Sequence, residues 1–254
     1  MSIKYKEKMT TPTWLPDKKY YEYIHHKFFN PDLDVKWETW KPWDEWTYSD
    51  SDIIWLSHVI GNQIPYLKNQ RVLDVGCSLG FISLFCLHNG ASYVTGIDVR
   101  DDLLDLAREV NGLAGYSNHE FKNINVTQHQ QILDLCNKHD TVMLAGILPV
   151  ITDHYGLLRV IAESTAQTVI IDSGNSHIFG NTYPVVEWRE LSTTHFQGPY
   201  QNTSTKLFVG TPNQKWIERA LIDLKFKIVY NKIFNFIEED GTINSHCVLV
   251  GTKS

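Results

Sequence analysis

Arg71 to Arg100 reads RVLDVGCSLGFISLFCLHNGASYVTGIDVR. Val72, Leu73 and Val75 make a short apolar run, the pattern of a buried strand. Gly76 and Gly80 bracket a tight loop, and Phe81 to Leu87 follow with apolar residues at helical spacing. Gly90 falls where that helix must stop, because glycine takes the left-handed conformation beyond a helix end at little cost. Tyr93 to Ile97 form a second strand that ends in Asp98. The stretch is a strand–helix–strand unit whose loop lies at the carboxyl end of its first strand, where open α/β sheets bind ligands.

The glycine spacing separates two nucleotide chemistries. A dinucleotide-binding turn, G-x-G-x-x-G, needs glycines at 76, 78 and 81, and this chain has Ser78 and Phe81. The observed D-x-G-x-x-x-G resembles motif I of the class I S-adenosylmethionine (SAM) dependent methyltransferases, and the resemblance extends from about Asp52 to the C-terminus. It implies a three-layer, Rossmann-like α/β fold with seven strands in the order 3-2-1-4-5-7-6, the last antiparallel, and helices on both faces.

The remaining elements can be placed in chain order. Residues 1–50 hold Trp14, Trp37, Trp40, Trp43 and Trp46 among four prolines, and read as an aromatic extension packed on the domain or as a lid. Within them Tyr20 to Phe29 can form a short helix. Asp50 to Leu67 has a helical apolar stripe of Ile53, Leu56, Ile60 and Ile64. Helices are expected over 101–114, 128–138, 153–166 and 213–224. Strands are expected over 120–125, 141–145, 168–171, 226–230 and 245–251. Residues 51–254 form one methyltransferase domain in this reading. Residues 173–210 show no clear periodicity and read as an inserted functional element.

The resemblance implies SAM as cofactor and assigns its parts to positions in this chain. The loop Gly76, Cys77, Ser78 and Gly80 brings backbone close to the ligand, and a Cβ at either glycine would collide with it. Asp74 accepts from the methionine ammonium, and Asp98, followed by Val99, accepts from the ribose hydroxyls or caps the next helix. Asn125 and Val126 stand where the family places the adenine partner, with asparagine in place of the usual aspartate. Gly146 and Ile147 flank the methionine moiety.

Methyl transfer requires orientation, and a base only when the acceptor must lose a proton. Asp153, His154 and His177 are the candidates for a base, with the alternatives of a helix N-cap for Asp153 and ordinary loop residues for the histidines. Trp46, Tyr48, Tyr155 and Asn175 are candidates for substrate contact. Pro149, Val150 and Ile151 follow the fourth strand, so the Asp/Asn-Pro-Pro-Tyr pattern of amino-methylating enzymes is missing.

Composition bounds the acceptor. A 254-residue chain with 43% hydrophobic and 20% charged residues suits one large α/β domain. The net charge of −6 supplies no general attraction to a phosphate backbone. Lys215, Arg219, Lys225, Lys227 and Lys232 form either a local basic patch or a solvated face. Four cysteines without C-x-x-C spacing give no metal motif, and they suit a reduced, cytoplasmic protein. No run of eighteen apolar residues or leader segment is present in the sequence, so no membrane partner is expected.

The expected function is SAM-dependent transfer of a methyl group to a small molecule or to a small group on a larger one. A tRNA substrate is the alternative. G-C-S-L-G-F, G-I-L and T-P-N-Q-K-W-I loosely resemble the tRNA wobble-uridine methyltransferases and their relatives. A catalytically silent SAM-binding subunit is a further alternative from another class. The sequence does not fix the oligomeric state.

Overall fold

A computed structural model of the protein describes residues 13–29, 36, 50–175, 183–191, 207–237 and 243–253. Helix α1 (Lys18–Phe29) precedes α2 (Asp50–Val59) and a short 3-10 helix over Gly61–Tyr66. The helix expected to run to Leu67 therefore tightens after Val59. Two local features account for this: Pro65 lies in the last turn, and Gly61 packs against the Trp14 indole, 3.1 Å from where a Cβ would stand.

From there strands and helices alternate. In order they are β1 (Arg71–Val75), α3 (Phe81–His88), β2 (Tyr93–Asp98), α4 (Asp101–Leu113), β3 (His119–Asn123), α5 (His129–Cys136), β4 (Thr141–Ala145), α6 (His154–Glu163) and β5 (Thr168–Gly174). The chain closes with β6 (Val186–Leu191), β7 (Leu207–Pro212), α7 (Gln214–Asp223), β8 (Lys227–Ile237) and β9 (Ile243–Thr252).

The main sheet has seven strands in the order β3-β2-β1-β4-β5-β9-β8. Pairing is parallel from β3 to β5, and β9 runs antiparallel to both of its neighbours. This is the expected 3-2-1-4-5-7-6 order, renumbered because two strands lie in the stretch that showed no periodicity. Those strands, β6 and β7, form a separate antiparallel ribbon. Their partners are sixteen or more residues apart with a long connection, so no hairpin signal announces them in the sequence.

Period-two alternation makes the three layers. Leu73 and Val75, Val142 and Leu144, Val169 and Ile171, and Cys247 and Leu249 face α5, α6 and α7. Val72, Met143, Ile170, Val248 and Val250 face α2 and α3 on the other side. Helix α1 adds Tyr23, Ile24 and Phe28 to a cluster with Leu79, Leu84, Leu103 and Val110, so it rests against α3, α4 and the loop after β1. Tyr23 donates to Glu109 at 2.8 Å, and Lys27 pairs with the same carboxylate at 2.7 Å. All four cysteines are buried and free, and burial pushes their thiols up, Cys136 to about 12. Among the described residues no helix is long and apolar enough to cross a membrane.

Candidate functional site

The carboxyl ends of β1, β2 and β4 converge on the loop after β1. Gly76 and Gly80 both have φ near +75°, which an L side chain takes only under strain. Their neighbours revise the expected reason for glycine. A Cβ on Gly76 would meet the Ile147 side chain at 2.7 Å, and one on Gly80 would meet Ala107 of α4 at 2.7 Å. Both close approaches are to the chain itself. Gly96 of β2 packs in the same way, because a Cβ there would lie 2.4 Å from the Phe121 ring.

The amides of Gly76 and Cys77 donate to the Ile97 carbonyl at 2.8 and 3.0 Å, and the Cys77 side chain is buried. Ser78, at φ 48°, donates its amide to Asp98 Oδ2 at 3.1 Å. Asp98 Oδ1 accepts the Arg100 amide at 3.1 Å, so this half-buried carboxylate pins the loop to the end of β2 and also caps the turn into α4. Each oxygen keeps a lone pair after accepting one amide, which leaves capacity for two hydroxyls. Val99 beside it is exposed.

Asp74 is 1% exposed and accepts from the Ser83 hydroxyl at 2.6 Å. Burial pushes its carboxyl up to about 7; the Ser83 bond opposes the rise and the Asp98 charge adds to it. Gly146, at φ +73°, donates to the Asp172 carbonyl at 2.9 Å, and none of the described residues lies within 4 Å of where its Cβ would be. Gly146 is exposed at the sheet's carboxyl edge, beside Ile147.

Asn125 lies just beyond β3 in a turn of its own, its side chain accepting from the Thr127 amide at 3.0 Å and from the Thr127 hydroxyl at 2.9 Å. With Val126, His129, Ile151 and Asp153 it lines a cavity of about 230 Å³. Asp153 caps α6 by accepting from the Gly156 amide at 2.8 Å, and His129 Nε2 stands 3.6 Å from it.

His154 is buried. Its Nε2 reaches the Leu148 and Gly210 carbonyls at 2.9 and 2.8 Å, tying the segment after β4 to β7. Asn175 is buried too, receiving the Gln214 amide at 2.8 Å and donating to Ser245. Tyr155 is exposed and lines a separate depression with Pro184, Trp216 and Arg219. Trp46, Tyr48 and His177 lie outside the described residues. Among the described residues no group of three His, Cys, Asp or Glu side chains converges as metal ligands.

A second polar group at the same sheet edge has no counterpart in the sequence reading. Asp172, two residues before the end of β5, is 1% exposed and accepts the Trp55 indole N–H at 3.1 Å. Its other oxygen lies 3.2 Å from Nδ1 of His246 on β9. The one available signal was an acidic residue near the end of β5, comparable to Asp98 at the end of β2.

Residues 67–177, the span that carries Asp74, the loop after β1, Asp98, Asn125 and Gly146, match a family described as a methyltransferase domain. This match supports the resemblance of the same span to the class I SAM-dependent methyltransferases. Solved members share the fold at low identity. Magnesium protoporphyrin IX methyltransferase of Synechocystis PCC 6803, crystallised with S-adenosylhomocysteine (SAH), is 19% identical with a TM-score of 0.53, covering 81% of each chain. The SAH-bound N-terminal domain of EvdMO1 is 14% identical with a TM-score of 0.57, covering 96% of this methyltransferase and 100% of that chain.

Curated relatives match over short stretches. Protein arginine N-methyltransferase 1 of Saccharomyces cerevisiae is 40% identical over 50 residues, 20% of this methyltransferase and 14% of that protein. Ribosomal RNA large subunit methyltransferase I of Photobacterium profundum is 41% identical over 66 residues, 25% and 16% respectively. Across the curated relatives it matches, this chain spans a quarter or less of their length.

The position of His154 in this methyltransferase gives a first test. Substituting alanine removes an imidazole that joins two buried carbonyls and touches Trp188 and Trp216. Urea unfolding is expected to show a loss of roughly 1–3 kcal/mol, with SAH affinity changed less than about twofold. A large loss of SAH affinity in a stable variant would return His154 to the binding site.

Proposed function

We propose that this chain transfers a methyl group from SAM to a small-molecule acceptor. The observation that carries the cofactor assignment is Asp98, a half-buried carboxylate at the end of β2 held against the Ser78 amide of the loop after β1. In this reading Asp98 holds the ribose hydroxyls, Asn125 and Val126 flank the adenine, and the backbone from Gly146 to Ile147 borders the methionine part. Asp74 answers the ammonium. When bound, SAM supplies a methyl carbon activated by a neighbouring sulfonium. The chain's own contribution is to hold donor and acceptor in line and to keep water away.

The small-molecule acceptor is favoured by the −6 net charge and by what happens to the basic residues of α7. Lys215 pairs with Glu218 at 2.8 Å and Arg219 with Asp223 at 3.1 Å, so this helix presents a mixed face and not a track for phosphates. Relatives named for protein and ribosomal RNA substrates keep an RNA acceptor as the alternative. The division into an aromatic extension over residues 1–50 and a methyltransferase domain over residues 51–254 belongs to the same reading, as does a cytoplasmic location.

Calorimetry tests the cofactor assignment: SAH is expected to bind and NAD is not. The reverse preference would remove it. The same titration carries a pH signature. Asp74 must be ionised to hold an ammonium, and its carboxyl is pushed up to about 7. SAH affinity is therefore expected to fall about tenfold from pH 8 to pH 6, as the ionised fraction drops from about nine-tenths to about one-tenth. Asp74→Asn should flatten that dependence. The sign for stability is opposite. A carboxyl raised on folding binds protons that the unfolded chain releases, so the free protein loses stability as pH rises from about 4 to about 7.

A further inference from the structure

We propose that Ser83 is a positioning residue of the cofactor site: its buried hydroxyl donates to Asp74 and holds that carboxyl as the ionised acceptor an incoming ammonium needs. The inference rests on the cofactor reading above, in which Asp74 answers the methionine ammonium, and adds the residue that prepares it.

Three observations carry it. The first is place. Asp74 stands in β1 between Gly96 of β2 and Met143 of β4, two residues before Gly76. Ser83 lies in the first turn of α3, which begins directly after Gly80, the second glycine of the loop. The bond between them therefore spans the loop and joins the strand that enters it to the helix that leaves it. Both residues are buried.

The second is the direction of the hydroxyl. A serine inside a helix commonly turns back to a carbonyl three or four residues earlier. Here the Gly80 carbonyl already takes the Leu84 amide at 2.9 Å and the Asn111 side chain at 3.3 Å. The Ser83 hydroxyl instead lies 2.6 Å from Asp74 Oδ2, the range of a hydroxyl donating to a carboxylate. A hydroxyl has one proton to give, so the bond is best made when the carboxyl has none. The helix end agrees. Its first amides have no partner within the helix, and Gly80 at the N-cap supplies no side-chain acceptor, so negative charge is favoured beside that turn.

The third is the balance of charge around the carboxyl. Burial pushes it up, the Ser83 hydroxyl opposes the rise, the Asp98 charge on β2 adds to it and the Ser83 backbone opposes it again, with a result of about 7. The other titratable groups facing it are the thiols of Cys77 in the loop and Cys86 on α3, both kept neutral by burial. Beyond β4 on the same face, Asp172 meets Trp55 and His246 instead. The Ser83 hydroxyl is thus the largest of the influences that favour the charge.

The consequence is that a proton leaves the site as the cofactor enters. An ammonium has three donors and no acceptor, so it binds the ionised carboxyl, directly or through one water. A carboxyl half protonated near pH 7 must release that proton to solvent when the ammonium arrives. Without the hydroxyl the carboxyl keeps its proton to higher pH, and cofactor binding must remove it over a wider range.

The test uses the full chain and SAH, with calorimetry in two buffers of different ionisation enthalpy. Ser83→Ala should move the midpoint of the affinity–pH profile about one unit toward alkaline pH. SAH affinity should then fall about fivefold at pH 7 but only about twofold at pH 8. Proton release on binding at pH 7 should rise from about half a proton in the wild type to about nine-tenths. Ser83→Cys, a weaker donor of similar shape, should fall between the two. In an Asp74→Asn background, Ser83→Ala should change SAH affinity less than about twofold. An equal loss at pH 7 and pH 8, a midpoint that stays in place, or the same loss in the Asp74→Asn background would each overturn the proposal. A wild type that does not bind SAH, or an Asp74→Asn variant with wild-type affinity and pH profile, would overturn the cofactor reading beneath it instead. If Ser83→Ala does not fold, the midpoint of Ser83→Cys decides in the same way.

Discussion

Replacing Asp98 with alanine is expected to weaken SAH binding at least tenfold. In the free protein its two oxygens already accept the Ser78 and Arg100 amides, both at 3.1 Å. Those bonds aim the carboxylate before any ligand arrives, so little ordering cost remains when ribose hydroxyls add to the open lone pairs. Hydrogen bonds to a charged group contribute roughly 1.5–3 kcal/mol each, and 1.4 kcal/mol is a factor of ten. The alanine variant also frees the Ser78 amide, whose bond to Asp98 helps hold that residue at φ 48°. Asp98→Asn keeps the shape and one acceptor, and should fall between wild type and alanine. Calorimetry on variants with unchanged circular dichroism reads both. Unchanged affinity would mean that the carboxylate serves only the loop and the cap.

Substituting Gly80 with alanine is expected to destabilise the fold by about 2–5 kcal/mol. The backbone there has φ +75°, which costs an L residue roughly 1–2 kcal/mol. The added methyl would stand 2.7 Å from Ala107 Cβ and 3.0 Å from its Cα, and neither can rotate away. Overpacking of that kind costs roughly 1–3 kcal/mol. In a domain of this size each kcal/mol shifts Tm by roughly 2–4 °C, so a fall of about 4–20 °C should appear in a thermal melt. Gly112→Ala is the paired control. It lies in α4, with none of the described residues outside that helix within 4 Å of the added methyl. Alanine favours helix over glycine by roughly 0.8–1.0 kcal/mol, so that variant should gain stability. A thermally silent Gly80→Ala would show that α3 and α4 separate more easily than their packing suggests.

The sequence by itself determined the alternation of strands and helices and the loop after β1. Each depends on signals that lie close together in the chain: apolar periodicity, a turn glycine, and an acidic residue at a strand end. The seven-stranded order followed once the loop was matched to a family, and the helices over 101–114 and 213–224 needed only their own apolar faces.

Tertiary structure decided what distant residues do together. Gly80 proved to be glycine because of Ala107, which approaches it from the next helix. His154, a loop histidine in the sequence, became a buried clamp only when β7 brought the Gly210 carbonyl to it. The ribbon of β6 and β7 escaped notice because a strand without a neighbouring partner carries little signal of its own. His246 and Asp172 are 74 residues apart, and Trp55 is 117 from Asp172. Their meeting is a product of β9 inserting antiparallel beside β5 while α2 covers the same face. A carboxylate, an imidazole and an indole meet only when the fold brings three separate elements to one face, and no local pattern records that.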